Sequence, residues 1–409
     1  MLRSPQKQAE NPTRKATALV HGAFVITGLC TTMLGPMLPQ LALRWRLSDF
    51  DAGYLFTAQF LASLVTSAAS GVFISRLGYR WALFCSLVLM AVGVAMLDQK
   101  SWQVGMTAVC IYGAGFGLSS PTGNLWIAEM NPGRPAAALN LVNFSWGVGA
   151  VGAPLAIAAL ERSGHVAWTT YATTAAALTL CIWVASDKFS IPLTPKKAEA
   201  IPQTKSGQAI PEQERTLRQR REFYSGLVLC VLFFTYVGVE TSIGGWIAVH
   251  ARRLSVSGAT FWAVVPAIFW GALLLGRASA PMLLRRIRQN KLAVAGLLLA
   301  LAALVCILAA HSPEIIAVGA GLAGFGLASV YPINLALLSE WFGSKAPKVG
   351  SVIFPASGLG GAILPWMVGL ASTYSGRGLR VGLFIPLLGV ALMLAFYLTY
   401  VRSLQTEAA

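Results

Sequence analysis

Glu240 stands in "FTYVGVETSIGGWIAVHARR", residues 234–253, a run otherwise apolar and long enough to cross a bilayer. It lies 17 residues past Phe223 and 10 before His250. At helical rise that is roughly 25 Å from one end of the run and 15 Å from the other. An ionisable group at such depth is costly and is normally tied to a cavity or a partner. Three roles fit. A carboxyl reached by water from alternate sides would load and release a proton. It could instead bind a solute directly, or serve as a structural acceptor. Gly244 and Gly245 follow at once and suggest a local break, which at this depth needs protein or water beside it.

Arg277 is the other charge inside an apolar run, eight residues before Arg285. Counted from that end it lies about 12 Å in, some 13 Å short of Glu240. A gating or structural role against carbonyls is therefore expected, rather than a pairing with Glu240. Gln59, Asn124, Asn140, Asn143 and Asn334 also fall within apolar runs. Each amide offers two donors and an acceptor, a set suited to mixed hydroxyls. Asn140 and Asn143 are three apart and share a helix face. Trp246 follows the glycine pair, and its flat face would suit the C–H face of a sugar ring. Tryptophan belts and helix–helix amide bonds are the structural alternatives. Glu129 and Glu340 sit near run ends, where pairing with Arg or Lys is expected, Arg76 and Arg80 being the candidates for an inner gate.

The elements that must hold these residues follow from composition. The chain of 409 residues is 56% hydrophobic and 11% charged, with mean hydropathy +0.65. A water-soluble chain would carry about 25% charged residues. Twelve apolar runs account for nearly all of it: 17–42, 50–74, 81–97, 102–128, 137–160, 166–186, 223–250, 260–284, 291–310, 314–339, 349–373 and 379–401. The alternating ten-residue segments of a barrel are absent. With the N-terminus in the cytoplasm, inside segments hold 22 Lys and Arg and outside loops 8. That excess places both termini inside an inner (cytoplasmic) membrane. The net charge of +16 is thus a topology signal, and no nucleic-acid partner is expected. No cleavable leader is expected either. The six cysteines lie in apolar runs without a CxxC, and His21, His165, His250 and His311 are scattered. No disulfide, metal or other cofactor is predicted. No P-loop or catalytic constellation is present, so an enzyme or ATP-driven pump is not expected.

The runs fall into two halves, 1–186 and 223–409, joined by a polar linker, 187–222. Within the linker "EQERTLRQRR" is expected to form a short helix at the membrane surface. "GFGL" occurs at 115–118 and again at 324–327. Pro121 and Pro332, Glu129 and Glu340, and Pro154 and Pro365 are each separated by 211 residues. A parallel duplication of six helices is a transporter architecture, with the solute site between the halves near mid-membrane.

The loop "GVFISRLGYR" (71–80) carries Gly71, Arg76, Gly78 and Arg80 of the pattern G-x-x-x-D-R-x-G-R-R and departs from it at Ser75 and Tyr79. It resembles the major facilitator superfamily along the whole chain. The resemblance implies an all-α membrane protein of twelve transmembrane helices in two pseudo-symmetric six-helix bundles. "ALNLVNFSWG" (138–147) is similar to the fifth helix of the fucose:proton symporter group, with Asn140, Phe144 and Gly147 matching in type. That group couples through acids in its first and fourth helices. The first span here has none, and Ser119 and Ser120 stand near the place in the fourth. The expectation is a monomeric, proton-coupled importer of a sugar or related polar small molecule, working by alternating access. Sodium coupling and an exporter of drugs or amphipathic compounds are the alternatives.

Overall fold

In hydrocarbon every backbone N–H and C=O must find its partner within the chain, so runs of this length fold as helices. The computed structural model describes residues 6–186 and 212–401. The first part of the expected linker, 187–211, lies outside the described residues. Helices α1 (Gln6–Thr32) and α2 (Leu34–Trp45) form one span, bent by 44°. Helix α3 (Asp49–Met96) is 48 residues long and contains two spans. It reverses at Gly78, whose φ of 76° is a left-handed value that favours glycine. The reversal brings Leu97 back beside the start of the helix, where Arg44 pairs with Asp98 at 2.8 Å. Then follow α4 (Trp102–Met130), α5 (Pro135–Glu161), α6 (Ala167–Ser186) and α7 (Glu212–Arg253). A single 3-10 turn (Phe261–Val264) leads into α8 (Val265–Leu284), followed by α9 (Gln289–Ala309). The tenth span is broken into α10 (Pro313–Leu327) and α11 (Val330–Phe342). Helix α12 (Ala346–Tyr374) and the pair α13 (Leu379–Gly382) and α14 (Phe384–Phe396) complete twelve crossings. Most of these helices meet the length and hydropathy of a membrane span outright. Helices α4 and α6 have spanning length but more Gly, Ser and Thr.

Two sequence expectations change. "EQERTLRQRR" is not a separate surface helix but the opening turns of α7, which begins at Glu212 rather than near 223. Helix α7 also runs unbroken through Gly244 and Gly245. The glycines are there for contact instead. A Cβ on Gly35 would overlap the Gly244 carbonyl, and one on Gly245 would press on the Phe56 ring at 2.6 Å.

Glycine contact also carries the duplication. In the first half a Cβ on Gly28 would overlap the Trp146 carbonyl, and one on Gly149 the Val25 carbonyl. In the second half a Cβ on Gly238 would meet the Gly360 carbonyl at 2.8 Å, and one on Gly360 the Phe234 carbonyl. Gly149 and Gly360 are separated by 211 residues. The same backbone-on-backbone joint therefore binds α1 to α5 and α7 to α12. Such small-residue contacts let dispersion and backbone dipoles hold helices together where no hydrophobic drive exists between them.

Gly149→Ala and Gly360→Ala should each destabilise the protein by ~1–3 kcal/mol through overpacking. Gly152 has only a side-chain methyl 3.6 Å from a built Cβ, so Gly152→Ala should be neutral or slightly stabilising. Thermal unfolding in detergent reads the difference. Equal melting temperatures for all three variants would contradict the joint.

Candidate functional site

The two halves meet most closely at the loop end of the bundle, opposite the linker. Ser48 caps α3, its hydroxyl accepting from the Asp51 N–H at 3.1 Å, and so fixes Asp49 in the first helical turn. Asp49 takes both arms of Arg253 from the end of α7, at 2.8 and 2.6 Å. It also accepts from the Ser372 hydroxyl of α12. The Phe50 N–H donates to Thr373 at 2.9 Å. Deeper in, Trp366 packs beside Phe50 and Tyr54, and the Thr57 hydroxyl donates to the Ala362 carbonyl at 2.8 Å. Deeper still, Thr31, Gly35, Gln59, Thr241, Gly244 and Trp270 enclose a cavity of about 30 Å³. That is room for about one water, so the seam is shut to a sugar at this level.

Below it lies the charged centre. The Arg277 Nη2 donates to Glu240 Oε1 at 2.8 Å and to the Tyr236 hydroxyl at 3.2 Å. The Tyr236 hydroxyl in turn donates to the same Oε1 at 3.3 Å. Tyr236 and Glu240 are four apart on one face of α7. The Arg277 guanidinium lies 5.8 Å from the Trp146 ring centre, which belongs to α5 of the other half. Trp146 also meets Trp270 edge-on at 6.0 Å. Glu240 is 11% and Arg277 27% exposed at the side chain. Both of these donors address Oε1. Arg277 Nε is buried and unpartnered. The centre is thus incompletely satisfied and sits on the seam.

The pairing corrects the depth argument that kept Glu240 and Arg277 apart. Depth counted from the linker end assumed that α7 and α8 end level there. They do not, because α7 continues to Glu212 while α8 stops at Leu284. Counted from the loop end, Glu240 is 13 residues from Arg253 and Arg277 is 12 from Val265. That is about 20 and 18 Å.

Other expected residues divide clearly. Asn140 and Asn143 are exposed on α5. Their helical register puts them on the face of Gly147, which abuts Leu274 of α8, so they lie on the side of α5 turned toward the second half. The Asn143 amide also donates to the Leu139 carbonyl at 2.8 Å. Gln59 is buried, bonding the Thr31 carbonyl at 3.1 Å and accepting from Tyr112 at 3.0 Å. It braces three helices while lining the small cavity. Asn124 is half-buried on α4, its Oδ1 unpartnered. Asn334 is fully buried and accepts from Tyr397 at 2.6 Å, a bond within the second half. Trp246 is fully buried, its indole N–H donating to the Pro365 carbonyl at 2.9 Å, and its ring meets Phe56 across the seam.

At the linker end the acids are held by neutral donors rather than by Arg or Lys. Glu129 accepts from the Tyr79 hydroxyl at 2.6 Å, and Glu340 from the Gln289 amide at 2.7 Å. Arg80 lies on the Val184 and Ala185 carbonyls, at 2.6 and 3.1 Å, where it meets the negative end of α6. Arg76 is exposed. Tyr79 and Gln289 escaped the sequence reading, although they are 210 residues apart, nearly the repeat interval. Tyr236 escaped it too, with its i, i+4 spacing to Glu240 as the available signal.

Removing one member of the charged centre should cost more than removing both. Arg277→Leu leaves a buried carboxylate without its cation, a loss of roughly 3–5 kcal/mol. The double variant Glu240→Gln/Arg277→Gln should recover much of that stability. Thermal unfolding of Glu240→Gln, Arg277→Gln and the double variant tests the coupling, and simple additivity would count against it.

Comparison with known proteins fits this architecture. The Major Facilitator Superfamily sequence profile matches residues 20–309. A glucose/galactose transporter of Brucella abortus is 24% identical over 393 residues, covering 91% of each chain. Among solved structures, a D-xylose–proton symporter superposes with TM-score 0.75 at 16% identity, covering 94% of this chain and 97% of that one. The transporter FucP in its outward conformation gives TM-score 0.60 at 19% identity, over 93% and 97%. A twelve-span bundle with two matching halves, a seam between them and a profile match over most of its length belongs to the Major Facilitator Superfamily.

Proposed function

We propose that this protein is a proton-coupled transporter of a sugar or related polyhydroxylated small molecule. The observation that carries this is the Glu240–Arg277–Tyr236 centre, placed on the seam between the halves and covered by Trp146 of the opposite half. The relatives named as glucose/galactose transporters and the xylose–proton symporter likeness support the solute class. In this reading the linker and both termini face the cytoplasm. The seam is then closed on the outside and the Asn140–Asn143 wall opens inward. The protein works as a monomer.

The coupling follows from charge. Arg277 cannot lose its proton, so it needs an acceptor at every stage. While Glu240 is ionised the pair is neutral and self-contained. When Glu240 takes a proton, Arg277 is left with Tyr236, the Trp146 face and whatever hydroxyl a bound solute offers. Proton and sugar therefore favour each other's binding, and linkage makes that preference reciprocal. The Asn140 and Asn143 amides supply the mixed donors and acceptors that replace water around the sugar.

Reconstituted in liposomes, the protein should accumulate glucose, galactose or xylose when an inward pH gradient is imposed, and an inward sodium gradient should not substitute. Glu240→Gln should abolish accumulation yet keep sugar exchange across the membrane. Asn140→Ala/Asn143→Ala should raise KM about tenfold or more, for two lost hydrogen bonds of ~1 kcal/mol each. Uptake indifferent to the pH gradient, with Glu240→Gln fully active, would remove the coupling. Efflux of apolar dyes without sugar uptake would replace the solute class.

A further inference from the structure

Helices α8 and α9 both pack along α10 and scarcely touch each other. Glycines cause this. A Cβ on Gly276 would meet the Ala328 Cβ at 2.5 Å, and one on Gly296 would overlap the Gly326 carbonyl. Each helix is drawn down onto α10, and a slot of about 140 Å³ remains between them. Leu283, Leu292 and Ala295 wall it, and Phe325 and Gly326 form its floor. It runs about 10 Å inward from the α8–α9 hairpin, the distance from Leu283 to Gly276 along the helix. Ala295 and Phe325 are exposed, so the slot opens on the outer surface of the bundle. That surface is bathed in lipid. The slot is apolar. Of its two hydroxyls, Ser279 and Ser329, the first is already spent on the Gly276 carbonyl at 3.0 Å.

The hairpin at its mouth reads "RRIRQNK", residues 285–291. Arg285, Arg286, Arg288 and Lys291 are all exposed, and among the described residues none has a side-chain hydrogen bond or ion pair. The carboxylate that touches this hairpin, Glu340, is held by the Gln289 amide. Elsewhere at the linker end Arg80 is matched with the α6 carbonyls and Lys345 with Glu222 at 2.6 Å, while Arg76, Arg134 and Lys348 are exposed at separate points. Four unmatched cations therefore stand directly over an apolar slot open to lipid.

We propose that this slot binds one anionic phospholipid, with an acyl chain between α8 and α9 and the phosphate on the hairpin cations. Arginine forks suit phosphate oxygens, and juxtamembrane basic clusters attract anionic headgroups. The site lies outside the central seam and does not depend on which solute the protein carries.

The test uses the full chain in mild detergent, given an equimolar mixture of phosphatidylglycerol and phosphatidylcholine with identical acyl chains. Native mass spectrometry counts the retained lipids. One phosphatidylglycerol should be retained in preference to phosphatidylcholine. R285Q/R286Q/R288Q/K291Q should erase the preference, at about fivefold per cation removed, with phosphatidylcholine retention unchanged. A295W should fill the slot and lower retention of both lipids. The four single glutamine variants show the same trend stepwise should the quadruple variant fail to fold. Equal retention of the two lipids by the wild type, or a preference that survives loss of the cations, overturns the headgroup contact. Retention unaffected by A295W overturns the slot.

Discussion

A half-buried arginine some 18 Å inside a membrane bundle constrains everything around it. Its charge is permanent, and hydrocarbon offers no water to screen it. The protein must surround Arg277 with an anion, a hydroxyl and an aromatic face, and Glu240, Tyr236 and Trp146 provide these. Three elements must then keep their relative depth: α7 for the acid and phenol, α8 for the cation, and α5 for the ring. The glycine joint between α7 and α12 holds the first of these. The contact of Gly147 with Leu274 brings α5 against α8. A buried ion pair of this kind adds little to stability compared with apolar packing, because desolvation consumes most of the attraction.

The two halves share a skeleton but not a chemistry. The joint of α1 with α5 reappears as that of α7 with α12. Glu129 bound to Tyr79 reappears as Glu340 bound to Gln289. Yet the first span carries no charged residue between Lys15 and Arg44, and the second none between Asp51 and Arg76. The charged centre on the seam comes from the second half, while the first contributes Trp146 to it and Asp49 to the closed end. This division gives each half a separate task. One holds the ion pair, and the other lays an aromatic face against it.

The fold was legible because it depends on little more than hydropathy and interval. Apolar runs of spanning length must be helices, and a shared separation of 211 residues between three residue pairs reveals the duplication. Glu240 and Asn140 could be singled out because polar groups in apolar runs are costly. What could not be read was depth relative to a neighbour. The pairing of Arg277 with Glu240 was hidden because the linker ends of α7 and α8 do not lie level, a fact no single run records. The Gly244–Gly245 pair misled for a related reason. Glycine signals both a break and a close approach, and only the neighbour, here Gly35, decides which. Trp246 and Asn334 turned inward to Pro365 and Tyr397, since a buried indole N–H or amide oxygen bonds whichever backbone or hydroxyl lies nearest, although Asn334 Nδ2 has no partner among the described residues.

The closed end of the seam shows how such a bundle can reopen. Arg253 is 45% exposed, and ion pairs as wet as this contribute only ~0–1 kcal/mol. The Asp49–Arg253 fork therefore cannot by itself hold the halves together. Closure rests on Trp366 against Phe50 and Tyr54, on Phe56 against Trp246, and on the backbone contact of Gly35 with Gly244. Smooth backbone-to-backbone surfaces separate without leaving empty side-chain sockets, so their parting avoids the cavity cost that breaking an interdigitated core would carry. The fork's contribution is directional: both guanidinium arms meet both oxygens of one carboxylate in a single register. Aromatic area decides whether this end is shut, and the ionic fork decides where α3 and α7 come to rest when it is. That separation lets the end close in one defined register while keeping the strength of closure within reach of a bound solute's few kcal/mol.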